Sequence, residues 1–405
     1  MKCPSRVQAL LIVLTLLPMN IGFAADATSG TVTSTADNGA EQDKSTPWTL
    51  PKIDLGNNAS LHFTADVRGS YDDNVFLTKS DTRSDELLSL SPGAAFKFGQ
   101  NSLTNGSLSY QETFEDYAHH STAAQQLGTG AGTFGYANDR LDLSANADYG
   151  QFSENQEGFF VPGQTSVVRR DQFDAGSNAE VHFTEKTSAS VGASYSNTHY
   201  DTPGLVGNHS YTLPTNFYYS IRPKVDLSAG FSDSEIKTPG NGPGSTQINK
   251  YYNVGARGDF TPKLTGTFTV GYTTSYVTQS PSTDLLGFSG NFSYDATPKT
   301  NLSLTTARNF NAGPVGEQEK STSASLTAST SFSPQWQGSA TATYENNVFA
   351  GSRTDNYVEG DVSATYTFST KISVTLSYSL RDNASTLSTA EYLDNMVSLD
   401  IGFTY

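Results

Sequence analysis

Residues 264–272 read LTGTFTVGY, and the alternation in that stretch decides the fold. Leu264, Gly266, Phe268, Val270 and Tyr272 fall on one side, and Thr265, Thr267, Thr269 and Gly271 on the other. Successive side chains of a strand point to opposite faces, so this is a strand with one apolar and one polar face; a helix cannot gather that set on one side. The same grammar fills LHFTADVRGSY (residues 61–71), with Leu61, Phe63, Ala65, Val67, Gly69 and Tyr71 opposite His62, Thr64, Asp66, Arg68 and Ser70.

Working outward, the strand follows the turn FTPK, and that turn recurs. FTEK, IRPK, FTPK, ATPK, FSPQ and FSTK end at Lys186, Lys224, Lys263, Lys299, Gln335 and Lys371, in steps of 38, 39, 36, 36 and 36 residues. Behind them come SASVGASY, DLSAGF, NLSLTTARNF, QGSATATY and ISVTLSY, all alternating. Between successive turns lie Gly-, Pro- and Asn-rich loops: TPGNGPGST (238–246), NAGPVGEQEKS (311–321) and DNASTLSTAE (382–391). Each repeat is a strand, a short turn, a strand and a longer loop. Two earlier turns, near 100–102 and 138–140, extend the series to nine strand pairs. The expectation is an all-β fold: a single transmembrane antiparallel up-and-down β-barrel of about 18 strands, with 16 the alternative.

The N-terminus fits export. Lys2 and Arg6 precede an apolar run over residues 10–17 broken only by Thr15, and Gly22 and Ala24 sit at the −3 and −1 positions of a cleavage site. Residues 1–24 read as a signal peptide. Cys3, the single cysteine, would leave with it. Residues 25–58 are polar and aperiodic, a flexible leader expected in the periplasm, and residues 59–405 are the barrel. Mean hydropathy is −0.42. A barrel that alternates lipid-facing and lumen-facing residues averages to such a value. Loss of Lys2 and Arg6 leaves 22 basic against 40 acidic groups, which excludes nucleic acid as a partner.

Aromatic residues gather at both strand ends. Tyr71, Tyr149, Tyr195, Phe231, Tyr272, Phe310, Tyr344 and Tyr378 mark the loop end; Phe98, Phe183, Phe260, Tyr294, Phe332 and Phe368 mark the short-turn end. Two such rings are the girdles of a barrel in a bilayer. The chain ends on NMVSLDIGFTY, an alternating strand in which Phe403 and Tyr405 form the kind of signal read by the barrel-assembly machinery. Outer-membrane lipid and lipopolysaccharide are the other expected partners.

The opening hairpin YDDNVFLTKSDTRSDELLSLSPGAAFKFG (residues 71–99) resembles the start of the family described as "Putative beta-barrel porin 2", and the resemblance extends over roughly 60–405. It implies an outer-membrane barrel, some relatives being encoded with exopolysaccharide synthesis machinery, and it carries no catalytic residues over.

YDDNVF has a near copy in YENNVF (residues 344–349). Asp72, Asp73 and Asn74, like Glu345, Asn346 and Asn347, are expected where the chain leaves the membrane. They suit either a self-capping Asx turn or a Ca²⁺ site, the one cofactor the chain suggests. No G-x-S-x-G, HExxH or CxxC motif occurs, so no enzyme is expected. The inward alternates include Asp66, Arg68, Asp142, Asp148, Asp226, Arg257, Asp259, Asp361 and Asp400, a pore lining that favours cations. His62 and His182 share that face, while His119 and His120 lie in a loop. Phe159, Phe160 and Val161, in the segment 153–170, form a candidate constriction, with Arg169 and Arg170 beside them. The expected role is a passive outer-membrane channel for small hydrophilic solutes, or for export of a polysaccharide chain. A non-conducting scaffold or anchor of a polysaccharide secretion system, and a loop-presenting structural or adhesive barrel, are the alternatives.

Overall fold

The computed structural model describes residues 53–56, 58–153, 167–202, 205–239, 245–351 and 353–404. A short strand, β1 (Ile53–Gly56), precedes eighteen long ones. These are β2 (Ala59–Asp72), β3 (Asp85–Phe98), β4 (Thr104–Tyr117), β5 (Gln125–Ala137), β6 (Leu141–Ser153) and β7 (Arg169–Thr184). Then come β8 (Thr187–Tyr200), β9 (Asn208–Arg222), β10 (Val225–Thr238), β11 (Ser245–Thr261), β12 (Leu264–Val277) and β13 (Thr283–Thr297). The set ends with β14 (Thr300–Ala312), β15 (Gln318–Ser331), β16 (Trp336–Phe349), β17 (Thr354–Ser369), β18 (Ile372–Ser385) and β19 (Tyr392–Thr404). From β2 to β19 each strand pairs antiparallel with its sequence neighbour. β19 then pairs with β2, from Met396–Asp72 to Thr404–Thr64, and the sheet closes. Closure removes every edge, the condition for a sheet to sit in hydrocarbon. The fold is an 18-stranded antiparallel barrel.

The turn motif has a backbone cause. In FTEK, FTPK, ATPK, FSPQ and FSTK the hydroxyl two residues before the last position accepts that residue's amide: Lys186 N–H to Thr184 at 3.2 Å, Lys263 to Thr261 at 3.3 Å, and Lys299 to Thr297, Gln335 to Ser333 and Lys371 to Ser369 at 3.2 Å. A Ser or Thr there closes the turn without a partner strand. The carbonyl of the same last residue then accepts an amide from the next hairpin, as Lys263 O does from Asp295 N–H at 2.8 Å. Each turn is therefore stitched to its neighbour, which explains a period of one hairpin.

Alternation sets the two faces. On β12, Phe268 and Tyr272 are exposed outward while Thr273 and Ser275 are buried on the inner wall. The outward aromatics touch along the rim: Phe173 with Tyr195, Tyr195 with Tyr211, and Phe231 with Tyr252 at the loop end. At the other end Phe260 and Phe268 both contact Phe292, and Trp336, Tyr366 and Phe368 form a chain. Phe310 departs from the girdle: it is only 2% exposed, with Lys320 Nζ 5.7 Å from its ring centre.

Three boundaries differ from the sequence reading. The strands run 13–17 residues, beyond the 9–11 or so that cross a bilayer, so they continue past the membrane at the loop end. Residues 313–317 and 386–391 are all that remain of two loops expected to be ten residues or longer. Glu345, Asn346 and Asn347 accordingly lie inside β16 rather than at the strand's exit. The leader also ends earlier: β1 pairs Ile53 with Leu61 and Asp54 with Ser60. It covers the edge of β2 beyond Thr64, where β19 has ended.

Candidate functional site

The inner wall carries all nine residues expected to line a pore, each on the face opposite the exposed apolar alternates, and most are paired. Arg68 Nε lies 2.5 Å from Asp400. Asp66 is 7% exposed and accepts from Gln111 Nε2 at 2.9 Å, reaching over β3. Asp142 meets His182 Nε2 at 2.9 Å, and Asp148 accepts from Asn146 at 2.8 Å. Asp259 holds Lys224 at 2.8 Å. Asp226 accepts from Arg257 Nε at 3.1 Å and from Ser220 at 2.5 Å. Asp361 lies half-buried opposite Ser379 of β18. His62 meets the hydroxyl of Ser60 at 3.1 Å.

Several inward charges escaped the sequence reading, among them Glu115, Asp174, Glu180, Glu319, Glu359 and Arg381. Glu180 on β7 receives Arg257 Nη1 at 2.8 Å and Nη2 at 2.5 Å, and the Arg257 guanidinium lies 3.5 Å from the centre of the Tyr218 ring. Arg381 on β18 is 1% exposed and donates to Asp394 of β19 at 2.8 Å. Both follow the polar alternation of their strands, Glu180 with His182 and Arg381 with Ser379, so the pattern contained them. Between these charges the wall carries many small polar side chains. Between β9 and β14 it forms a concavity open to solvent, lined in part by Asn216, Asn249, Asn253, Thr273, Ser289 and Asn309. Tyr251 lies flat there: a Cβ at Gly271 or Gly287 would stand 2.8 or 3.3 Å from its ring, so glycine lets the aromatic lie against the wall.

The loop end is where the structure adds most. Residues 73–84, the tail of YDDNVF, fold back over the inner face. Val75 and Leu77 are 1% and 2% exposed, and Val75 packs with Leu87, Tyr117 and Ala123, with Phe76 and Val167 beside them. Leu87 and Tyr117 lie on the inward faces of β3 and β4, so this apolar cluster covers part of the barrel mouth from inside. Lys79 forms an ion pair with Glu391, tying the loop to the segment before β19. The candidate constriction, Phe159, Phe160 and Val161, is not among the described residues. Arg169 pairs with Asp171 at 3.2 Å, and Arg170 is buried with Phe152 at 5.1 Å.

Asp85 anchors a second loop. Its carboxylate accepts from the amides of His119 and His120 at 3.0 and 2.8 Å, and both imidazole Nδ1 atoms lie within 3.0 Å. Asp85 precedes the β3–β4 ladder, which starts at Leu87–Tyr117, and so stands outside the membrane span. Burial raises its pKa, but the bonds from His120 and His119 outweigh that and lower it to about 2.

The candidate cation ligands separate. Asn74 is not available: its amide donates to Thr78 O and Leu393 O at 2.9 and 2.8 Å, and its oxygen accepts from the Thr78 amide at 3.0 Å. It is a structural Asx residue. Asp72 and Asp73 instead converge with Asp394, a residue 321 positions further on than Asp73 that β19 brings alongside. Of the terminal pair, Phe403 is exposed on the outward face and Tyr405 lies outside the described residues.

Residues 244–405 match the sequence profile of the family described as "Putative beta-barrel porin 2". No curated protein matches the chain. Among solved structures the barrel is similar to the siderophore receptor PiuA from Acinetobacter baumannii, at TM-score 0.47 and 11% identity over 87% of this chain and 78% of that one. It is also similar to OccAB2 from Acinetobacter baumannii (TM-score 0.44, 13% identity, 86% and 98%) and to the outer membrane protein opdK from Pseudomonas aeruginosa (TM-score 0.43, 9% identity, 85% and 99%).

Proposed function

We propose that the protein is a passive channel of the bacterial outer membrane, admitting small hydrophilic solutes with a preference for cations. Its short turns then face the periplasm and its loops the exterior, where lipopolysaccharide surrounds the outer aromatic ring. The terminal strand with Phe403 and Tyr405 is its address to the barrel-assembly machinery. One observation carries the reading: both arginines of the expected lining are held by carboxylates, Arg68 by Asp400 and Arg257 by Glu180 and Asp226, while Asp66, Asp148 and Asp361 have no cationic partner at hydrogen-bond distance. The wall keeps a negative excess, and a negative field in a narrow aqueous path enriches cations. Barrels of 16–18 strands are wide enough for an aqueous lumen.

Single-channel recording of the refolded mature chain in a planar bilayer, with reversal potentials in a KCl gradient, tests this. Ohmic steps with a reversal potential of cation-selective sign support it. Silence from protein shown to be folded overturns it and favours the non-conducting scaffold. Blockade by an acidic polysaccharide, without solute flux, would favour the export cargo that the family resemblance implies.

A further inference from the structure

We infer that Asp72, Asp73 and Asp394 form a divalent-cation site, suited to Ca²⁺, that fastens the root of the mouth loop to the closing strand. One carboxylate oxygen from each residue lies within 4.8 Å of the other two. Ca²⁺ binds oxygen at 2.3–2.6 Å, so two ligands across the ion stand at most about 5 Å apart, a limit the three groups meet; Ca²⁺ also accepts the irregular ligand set of a strand end and a loop, whereas Mg²⁺ demands near-ideal octahedral geometry and dehydrates reluctantly. Only oxygens converge here, which selects a hard cation.

The second observation is an enclosed carboxylate oxygen that no amide, hydroxyl or cationic group reaches, its polar neighbour being the carboxyl of Asp72. Asp394 is fully buried; its Oδ2 receives Arg381, and its Oδ1 has no hydrogen-bond partner. Asp72 is 1% exposed, and Asn74 N–H at 2.8 Å is its one amide donor among the described residues. A buried carboxylate oxygen without a donor is costly. Three carboxylates beside one arginine leave a local charge of minus two when all are ionised, which a divalent cation balances. Asp73 faces the same point from the loop side, held by the amide of Asn395 at 2.8 Å and its side chain at 2.9 Å.

The position gives the site its consequence. Asp72 ends β2, Asp73 begins the loop that covers the mouth, and Asp394 belongs to β19, so the cation would bridge the first and last strands of the barrel. β2 needs the support. Its ladder with β3 spans only Ser60–Phe63, beside Pro92, which has no amide to give. Above that point the β2–β3 ladder is interrupted, while the pairing of β2 with β19 continues to Asp72. This inference is independent of whether the barrel conducts.

The test uses the refolded full barrel in detergent, stripped with chelator and titrated with Tb³⁺ as a luminescent stand-in and with Ca²⁺ in competition. Tyr71 and Tyr392 lie near enough to sensitise Tb³⁺. The expected result is one saturable site, displaced by Ca²⁺ at least tenfold more readily than by Mg²⁺, weakened at least tenfold in Asp73→Asn, and a Ca²⁺-dependent rise in melting temperature that the variant lacks. Asp73 is the residue to change because Asp394→Asn would also strand Arg381. Asp139→Asn, in the exposed turn between β5 and β6 at the far end of the barrel, serves as the folded control and should bind normally. Binding that is absent, non-saturable or equal in wild type and Asp73→Asn overturns the assignment.

Discussion

Arg257 on β11 closes a two-point ion pair with Glu180 on β7, spanning 77 positions of sequence and the three strands between. Through Nε the same guanidinium also holds Asp226 of β10. A single cation thereby neutralises two carboxylates near the short-turn end of the lumen. Arg257→Ala should leave both free. A bare charge a few ångströms from a permeating ion is worth about 1 kcal/mol in water, or roughly a fivefold gain in local cation occupancy. The reversal potential should shift toward K⁺ and the conductance should rise; a shift toward Cl⁻ would contradict the inward placement of Glu180.

The buried pair at the other end predicts a stability change rather than a selectivity change. Arg381→Leu leaves Asp394 enclosed without its counterion, at a cost on the order of 3–5 kcal/mol. Arg381→Leu with Asp394→Leu should recover most of it. Urea unfolding in detergent, followed by the mobility of unheated protein on gels, compares the two; equal losses would show that the pair is not a unit.

Strand register makes a paired forecast on β12. Val270 faces outward at mid-strand, so Val270→Arg places a charge in hydrocarbon and should cost about 2–4 kcal/mol. Thr267→Arg, on the inner face of the same strand, should leave stability nearly unchanged and reduce cation preference. If the two variants lose similar stability, the assignment of faces on β12 fails.

The turn hydroxyls should matter locally. Thr261 Oγ1 accepts from the amides of Lys263 and Leu264 at 3.3 and 3.0 Å. Thr261→Val keeps the shape and removes the acceptor, with an expected loss of about 0.5–1.5 kcal/mol. Arg222 already stands at the equivalent position of IRPK, so Arg222→Thr should stabilise that turn by a few tenths of a kcal/mol to about 1 kcal/mol; chemical denaturation of the two variants measures both.

Asp85 gives a pH dependence with a definite sign. Its folded pKa, about 2, lies below the unfolded carboxylate value, so its contribution is complete above pH of about 4 and is lost as pH falls through 2. Hydrogen exchange at residues 118–124 should therefore stay slow at pH 5 and lose protection on acidification into that window. Asp85→Ala should show the unprotected rate already at pH 5.

The sequence by itself determined the barrel. Alternation is a local property of the covalent chain, so LTGTFTVGY declares its two faces, the turn repeat counts the strands, and the polar alternates name the inner wall before any contact is known. The inward charges Glu180 and Arg381 obey that alternation as well. What only the tertiary structure decided lies wherever segments distant in sequence meet. Asn74 reads as a ligand beside Asp72 and Asp73, but β19 gives it backbone partners and brings Asp394 in its place. Val75 and Phe76 read as an exposed loop, yet the inward Leu87 and Tyr117 offer an apolar surface to bury them. Closure of the sheet creates both results, because it sets the first strand beside the last, and no local pattern encodes which side chains meet there.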